Sequence, residues 1–268
     1  MWAQVAPTVA AATPAAAAAP ASAAASTTGT PTPAAAPAPV APPAPSAAPS
    51  TTTPSDSNYK AHPDWNKSCE AEVAAMKGKP CDVIFIGDSI TQNFIAQPSR
   101  NWTSVGKTVW DKHYAGRNVL DFGVGADATQ NVLWRMDHMD IKEFKPKVAV
   151  VMIGTNNTKN TPAQIAAGVK AVVEKTQAVF PGVKIILVSI LPNARATQKM
   201  AYANQIIKTL GDDKTVFYFD LAAKMTPTAD GKSWTGLGPD RLHLSPEGYE
   251  LWAAEMEPLL TKLLAGKG

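Results

Sequence analysis

The chain has 268 residues and a formal net charge of +3 at pH 7, and 18% of its residues are Asp, Glu, Lys or Arg. Because these charges form no basic run or cluster, the sequence does not favour a protein that binds nucleic acid or an anionic membrane surface. No stretch approaches the roughly 18 apolar residues of a membrane-spanning helix, so we predict neither a membrane span nor a nucleic-acid partner.

The first part of the chain differs in composition from the rest. Residues 1–55 are almost entirely Ala, Pro, Ser, Thr and Val, and twelve of the 23 prolines lie before Asn58. Such a segment buries too little apolar surface to offset the entropy of ordering, and its prolines favour extended polyproline II. We therefore predict a disordered tail or linker over residues 1–58 and one folded domain over residues 59–268.

The cysteines and the start of the chain bear on its compartment. The first few residues after Met1 include no basic residue, so the start of the chain is not an intact secretory signal. Ala/Pro tethers nevertheless often follow such a signal after its removal. Cys69 and Cys81 are the only cysteines, and they form either a short disulfide, which we favour, or two buried free thiols. A disulfide implies an oxidising compartment. We expect an extracytoplasmic protein, periplasmic or secreted, for which the linker is a tether.

From Asp82 onward, short apolar runs alternate with helical patterns. Continuous apolar runs are typical of strands buried on both faces. Their alternation with helices predicts right-handed βαβ units and a parallel sheet covered by helices on both sides. The five candidate strands are Val83–Ile86, Val119–Leu120, Val148–Met152, Ile185–Val188 and Val216–Phe219.

Two of the helices have clear start signals. Thr161-Pro162 followed by Gln164 combines an N-cap, a proline at the first helical position and a capping box. Ser245-Pro246 predicts the start of the last helix in the same way. Pro258 lies within that helix, where it should produce a kink or leave one hydrogen bond unmade.

Polar segments follow the first three strands, and a further one precedes the last helix. They are residues 87–91 (GDSIT), 123–127 (GVGAD), 154–157 (GTNN) and 240–243 (DRLH). Ligands bind at the carboxyl ends of the strands in parallel sheets, so the first three segments should meet at one edge. The sequence therefore predicts the active site at this edge.

These segments contain the groups that acyl transfer requires. Ser89 could be a nucleophile, His243 its general base, and Asp240, three residues earlier, could orient the imidazole. The backbone N–H groups of Ser89 and Ala126 and the side-chain amide of Asn156 are candidate donors to an oxyanion. Singly, each has a structural alternative, such as a helix-capping serine or a packed histidine. Their order along the chain favours a catalytic function.

Other classes of site have no support in the sequence. Ser89 is not in a Gly-x-Ser-x-Gly elbow, which argues against the α/β-hydrolase fold. No His, Cys or Asp spacing fits a zinc site, and no Gly-rich loop fits a phosphate site. We therefore predict no metal and no cofactor.

The same segments resemble the sequence blocks of the SGNH, or GDSL, hydrolases. The four blocks are residues 82–92 (DVIFIGDSITQ), 118–135 (NVLDFGVGADATQNVLWR), 151–157 (VMIGTNN) and 240–245 (DRLHLS). Their spacing is most similar to the catalytic subunits of platelet-activating-factor acetylhydrolase and to bacterial relatives that include carbohydrate acetylesterases.

The resemblance implies an α/β fold of the flavodoxin-like kind, a three-layer α/β/α sandwich with a five-stranded parallel sheet. It places the nucleophile at Ser89, the oxyanion asparagine at Asn156, and the acid and base at Asp240 and His243. The family's oxyanion glycine is replaced here by Ala126, whose methyl group could narrow the acyl pocket. Asp88, Asp127 and Arg135 also match, and we interpret them as residues that hold the loops.

The predicted function is a serine ester hydrolase that removes short acyl groups, acetyl above all, from carbohydrate or other small esters. Its partner would be a small-molecule or polysaccharide ester. A lysophospholipase or thioesterase with a longer acyl preference, a retired carbohydrate-binding module, and acyl transfer to another alcohol remain alternatives. The sequence leaves the alcohol, the substrate-binding residues and the oligomeric state open.

Overall fold

A computed structural model describes residues 49–95 and 105–266. Its centre is a five-stranded sheet in the order β2-β1-β3-β4-β5, with every neighbouring pair parallel. The α/β fold and the five-stranded parallel sheet that we predicted are confirmed. The strands are β1 (Val83–Gly87), β2 (Val119–Gly123), β3 (Val148–Met152), β4 (Lys184–Val188) and β5 (Val216–Phe219).

Helices cover both faces of the sheet. Because side chains alternate along a strand, Ile84 and Ile86 point into one core and Val83 and Phe85 into the other. The first core is closed by α2, α5, α6 and α7, and the second by α4 and α8. The helices are α1 (Ser57–Ala61), α2 (Pro63–Met76), α3 (Ser89–Gln92), α4 (Lys107–His113), α5 (Thr129–His138), α6 (Pro162–Val179), α7 (Thr197–Ile207) and α8 (Pro246–Leu264), with 3-10 turns at Lys208–Leu210 and Ala222–Lys224.

The predicted helix starts are present. Thr161 and Gln164 exchange backbone-to-side-chain hydrogen bonds at the start of α6, and Ser245 Oγ accepts the Gly248 N–H at the start of α8. Helix α8 continues through Pro258, which is exposed. Since proline has no N–H, one carbonyl of this helix is left for water to hydrogen-bond.

Helix α8 also anchors the turn that follows β1. Trp252 is fully buried, with its ring centroid 5.0 Å from that of Phe94 and 6.0 Å from that of Phe85. One turn earlier, the Tyr249 hydroxyl donates a 2.6 Å hydrogen bond to the carbonyl of Ile90. The aromatic core therefore holds the first turn of α3, where Ser89 lies.

The packed chain begins earlier than the boundary predicted at residue 58. Residues 49–58, which we call the N-terminal strap, lie against α5 and α6. The Thr51 hydroxyl donates to the carbonyl of Gln164 (2.8 Å), the Thr129 hydroxyl donates to the carbonyl of Thr51 (2.8 Å), and the Ser55 N–H donates to the carbonyl of Gln130 (2.9 Å). The prediction of disorder for residues 1–48 concerns residues outside the described part.

The predicted disulfide is wrong. Cys69 and Cys81 are both buried free thiols, the alternative that the spacing also allowed. Cys69 Sγ accepts a hydrogen bond from Arg135 Nη1 at 3.5 Å, whereas Cys81 Sγ lies 3.5 Å from the carbonyl of Val83. Burial raises the pKa of Cys69 to about 12 and that of Cys81 to about 11. The argument for an oxidising compartment therefore loses its support.

Within the described ranges, no helix has both the length and the apolar character to cross a membrane.

Candidate active site

The carboxyl ends of β1, β2 and β3 meet at one edge of the sheet. Gly87 at the end of β1 pairs with Gly123 on one side and with Met152 on the other. A Cβ atom at Gly87 would lie 2.6 Å from the carbonyl oxygen of Met152, a distance that real Cβ atoms do not show. Glycine is therefore required where the chain leaves the sheet toward Ser89.

Ser89 is the first residue of the short helix α3. Asp88 caps this helix, and its Oδ1 accepts the N–H of Ile90 at 2.9 Å. The cap turns the chain sharply after β1, so the Ser89 side chain points out of the sheet edge and is only partly buried. A short capped helix thus presents the hydroxyl to a cavity.

The three predicted triad residues lie within hydrogen-bond distance of one another. Ser89 Oγ is 2.8 Å from His243 Nε2, and His243 Nδ1 is 2.6 Å from Asp240 Oδ2. Since a carboxylate only accepts hydrogen bonds, Asp240 places the ring proton on Nδ1, and Nε2 is then the nitrogen that accepts the Ser89 proton. The arrangement has the geometry of a nucleophile with an oriented base.

The turn before α8 holds Asp240 in place. Its Oδ1 accepts the backbone N–H groups of Leu242 and His243, each at 3.0 Å. Partial burial opposes ionisation of Asp240, but the hydrogen bonds from the ring and the backbone of His243 and from the Leu242 N–H outweigh it. They lower the pKa of this carboxyl below its ordinary value. Asp240 is therefore ionised at neutral pH, the state in which it holds the imidazole.

The predicted oxyanion donors surround the same cavity, whose volume is about 140 Å³. Ala126 has φ +61°, in the left-handed region, and its side chain is exposed. Asn156 Nδ2 donates a 2.9 Å hydrogen bond to the carbonyl of Asp127, which anchors the amide beside the cavity. The lining residues are Trp65, Ser89, Ala126, Asn156, Arg195, Leu242 and His243.

Three of these lining residues were not predicted. Trp65 and Leu242 give the cavity apolar walls. Arg195 Nη1 donates to Asn156 Oδ1 at 3.3 Å, so it sets which end of that amide carries the donor. Arg195 follows β4, a strand after which the sequence analysis identified no candidate residue. The signal that could have found it was an arginine a few residues beyond the end of that strand.

A buried ion pair supports the loop that carries Ala126. Arg135 Nε lies 2.7 Å from Asp127 Oδ2, and both side chains are 1% exposed. Arg135 also donates to the carbonyl of Phe122 at 3.0 Å. From the N-terminal strap, Asn58 Nδ2 donates to the carbonyl of Gly125 (2.8 Å) and to Asp127 Oδ1 (2.5 Å). The loop is thereby tied to β2, α5 and the strap.

Two further carboxyls lie buried near the strand ends. Burial raises the pKa of Asp88 to about 7, although the Ile90 N–H acts in the opposite direction. Burial likewise raises the pKa of Asp121 well above its ordinary value, against the effect of the Gly123 N–H. No group of three or more His, Cys, Asp or Glu side chains in the described ranges is placed to hold a metal ion.

The sequence matches known acylhydrolases over most of the folded part. The model of the GDSL-like lipase/acylhydrolase family matches residues 85–251. Platelet-activating factor acetylhydrolase IB subunit alpha2 of Rattus norvegicus is 31% identical over 205 residues, which cover 75% of this chain and 85% of the relative. The alpha1 subunit of Homo sapiens is 30% identical over 197 residues, covering 72% and 81%.

Solved structures share the fold at lower identity. A GDSL-like lipase from Bacteroides thetaiotaomicron superposes with a TM-score of 0.59 at 20% identity, covering 76% of this chain and 98% of that one. The carbohydrate acetylesterase Est24 from Sinorhizobium meliloti superposes with a TM-score of 0.53 at 20% identity, covering 69% and 99%. With the match of the family model, these findings show that the chain belongs to the GDSL-like lipase/acylhydrolase family and is a carboxylic ester hydrolase.

Proposed function

We propose that this esterase removes short acyl groups, acetyl above all, from carbohydrates or other small alcohols through an acyl-enzyme formed on Ser89. The observation that carries the proposal is the chain of contacts from Ser89 Oγ to His243 and Asp240 (2.8 and 2.6 Å), which opens into a cavity of about 140 Å³. Small-molecule sites usually have volumes of roughly 300–1,000 Å³, so this cavity suits a small acyl group.

In the first step, Ser89 Oγ attacks the ester carbonyl carbon while His243 Nε2 takes the hydroxyl proton. The carbonyl oxygen becomes an oxyanion, for which the N–H groups of Ser89 and Ala126 and the amide of Asn156 are the donors. The bond from the carbonyl carbon to the alcohol oxygen then breaks, and His243 gives its proton to the leaving alcohol. The acyl group remains on Ser89.

In the second step, water replaces the alcohol. His243 takes a proton from the water, whose oxygen attacks the acyl carbon, and the same donors stabilise the second oxyanion. The bond to Ser89 Oγ breaks, the serine recovers its proton from His243, and the carboxylic acid leaves. Asp240, held ionised by its hydrogen bonds, stabilises the imidazolium in both steps.

The small volume of the cavity, about 140 Å³, favours acetyl over longer acyl groups. The Ala126 methyl group occupies wall space that a glycine would leave open, and Trp65 and Leu242 form further walls. The names of relatives point the same way: two are subunits of an acetylhydrolase, and one solved neighbour is a carbohydrate acetylesterase. For this chain, both the acetyl and the carbohydrate preference are part of the proposal.

The test is a chain-length series of p-nitrophenyl esters with wild type, Ser89→Ala and the matched control Ser68→Ala on α2. We expect activity on acetate to exceed that on octanoate, and Ser89→Ala to lower kcat by at least about 10³-fold, as in other serine triads. Ser68→Ala should retain wild-type turnover, because Ser68 does not line the cavity, although it lies on the same helix as Trp65.

Two outcomes would overturn the proposal. Near-normal turnover by a folded Ser89→Ala variant would remove the serine mechanism. Activity that rises with chain length up to octanoate would replace the acetylesterase with a lysophospholipase- or thioesterase-like enzyme.

A further inference from the structure

A second and larger cavity lies beside the active site. Its volume is about 500 Å³. It is formed by the loop after β4 and the start of α7, by the segment between β5 and α8, and by Thr158 after β3. We call it the basic groove; its lining residues are Thr158, Asn193, Ala194, Arg195, Ala196, Thr197, Gln198, Lys199, Lys232, Trp234 and Arg241.

The basic groove adjoins the active site at Arg195, which lines both cavities. Arg195 reaches Asn156, the candidate oxyanion amide, at 3.3 Å. The active-site cavity has room for little more than the acyl group and the ester. The alcohol part of a substrate must therefore extend out of this cavity, and the basic groove is the neighbouring space that shares a wall with it.

The charges of the groove are of one sign. Four lining residues are cationic, namely Arg195, Lys199, Lys232 and Arg241, and no lining residue is Asp or Glu. Among the described residues, none of these four cations forms an ion pair within 4.0 Å. Several surface lysines elsewhere do, such as Lys77 with Asp140 at 2.6 Å.

Two carboxylates close to the groove residues in the chain make their hydrogen bonds to groups other than the four cationic side chains, although the charge of Arg241 adds to the hydrogen bond from Thr228 in lowering the pKa of Asp230. Asp240 binds His243, and Asp230 accepts the Thr228 hydroxyl (2.6 Å) and the Lys232 N–H (3.0 Å). Four cations around one concave space repel one another and attract anions. Trp234 is only partly buried and adds an aromatic surface to the groove. Such a surface can pack against the apolar face of a sugar ring while the hydroxyl groups of the sugar stay in contact with water.

We propose that the alcohol part of the substrate is an anionic saccharide, and that the basic groove binds its carboxylate or phosphate while the acyl group occupies the cavity at Ser89. This inference rests on the proposed esterase function and names the class of ester that it acts on. Arg195 contacts the oxyanion asparagine and the anion at once, whereas Lys199, Lys232 and Arg241 contact only the saccharide side.

The experiment compares three acetyl esters that differ only in the group at the primary-alcohol carbon: a methyl glucoside (neutral), the corresponding methyl glucuronoside (a carboxylate), and the glucoside phosphorylated at its primary hydroxyl (a phosphate). All three are acetylated at the same secondary hydroxyl, and p-nitrophenyl acetate reports the basal reaction. The variant is the double substitution Lys199→Gln/Lys232→Gln, which leaves the residues of the active-site cavity unchanged. The matched control is Lys142→Gln/Lys145→Gln, two exposed lysines between α5 and β3.

We expect wild type to have a higher kcat/KM for at least one of the two anionic esters than for the neutral one. Exposed ion pairs contribute about 0.2–1 kcal/mol each, so the groove variant should lower this preference by about 2- to 30-fold. The control, which has the same net charge, should leave the preference unchanged, and both variants should retain activity on p-nitrophenyl acetate. Preference for the glucuronoside alone assigns a carboxylate, and preference for the phosphorylated ester alone assigns a phosphate.

Equal kcat/KM for all three esters in wild type would overturn the inference, as would an equal loss of preference in the groove and control variants. In both cases activity on p-nitrophenyl acetate would persist, so the esterase proposal would stand. Absence of that basal activity in the folded wild type would overturn both.

Discussion

The alanine in the candidate oxyanion loop provides a test in which stability and specificity change together. Ala126 has φ +61°, and it is one of the residues that line the active-site cavity. We consider Ala126→Gly, with Ala223→Gly as the control. Ala223 is also exposed and lies in a 3-10 turn, but its φ is not positive.

The two substitutions should have different effects on the free energy of unfolding. A left-handed conformation costs a non-glycine residue roughly 1–2 kcal/mol. A glycine increases the entropy of the unfolded chain and so costs about 0.5–1 kcal/mol relative to alanine. Ala126→Gly should therefore raise the free energy of unfolding by about 0 to 1.5 kcal/mol, so the variant should be as stable as wild type or more stable. Ala223→Gly should lose about 0.5–1 kcal/mol, because it relieves no strain.

Urea unfolding at equilibrium measures both changes, provided that the slope of the transition is the same in all three proteins. A loss at Ala126→Gly as large as the loss at Ala223→Gly would refute the argument from backbone strain. The acyl specificity gives an independent readout. One methylene in an apolar pocket is worth about 1–3 kcal/mol, so the ratio of kcat/KM for butyrate over acetate should rise by about 5- to 150-fold. An unchanged ratio would show that this methyl group does not limit the acyl pocket.

Two further substitutions test the buried polar groups around the site. Asp88 has a pKa of about 7 in the folded protein and near 4 when unfolded. Below pH 4 the carboxyl is protonated in both states and its burial does not lower the free energy of unfolding. Above pH 7 it is ionised, and its burial lowers the free energy of unfolding by up to roughly 4 kcal/mol. Asp88→Asn keeps the acceptor for the Ile90 N–H, so its stability relative to wild type should rise between pH 4 and 7 in urea unfolding; a difference independent of pH would contradict the raised pKa. Asn58→Ala removes two hydrogen bonds to the Ala126 loop and should cost about 1–3 kcal/mol of stability and lower kcat on p-nitrophenyl acetate; no change in either would show that the strap does not hold the loop.

The sheet and the residues at its edge were predictable because their signals are local. A buried parallel strand requires a continuous apolar run, and the strand-end rule then locates the polar residues that follow it. Strand β2 shows the limit of this reasoning. Its pattern indicated only Val119–Leu120, whereas the strand extends to Gly123. Asp121 interrupts the apolar run, yet it is buried and its Oδ1 accepts the Gly123 N–H at 2.8 Å.

The strap and the cysteines were mispredicted for a different reason. Composition reports how much apolar surface a segment can bury, but the strap is held by hydrogen bonds through Thr51 and Ser55 and through the side chain of Asn58. A segment without large apolar side chains can therefore still be ordered. Likewise, the spacing of Cys69 and Cys81 gives the length of the loop between them but not the positions of their sulfur atoms, which have separate partners.

The basic groove could not be predicted from the sequence, because the order of charges along the chain does not show which charges lie together in the fold. The chain carries only +3 overall and shows no basic run, and in the sequence Lys232 and Arg241 have the acidic neighbours Asp230 and Asp240. In the part of the fold that the structure describes, neither carboxylate forms an ion pair within 4.0 Å with Lys232 or Arg241. Asp240 hydrogen-bonds to His243, and Asp230 accepts the Thr228 hydroxyl within its own turn. The loop after β4 brings Arg195, and the start of α7 brings Lys199, to the same cavity. The residues that orient the histidine thus leave cations beside the active site, where they can contribute to the choice of alcohol without taking part in the acyl transfer.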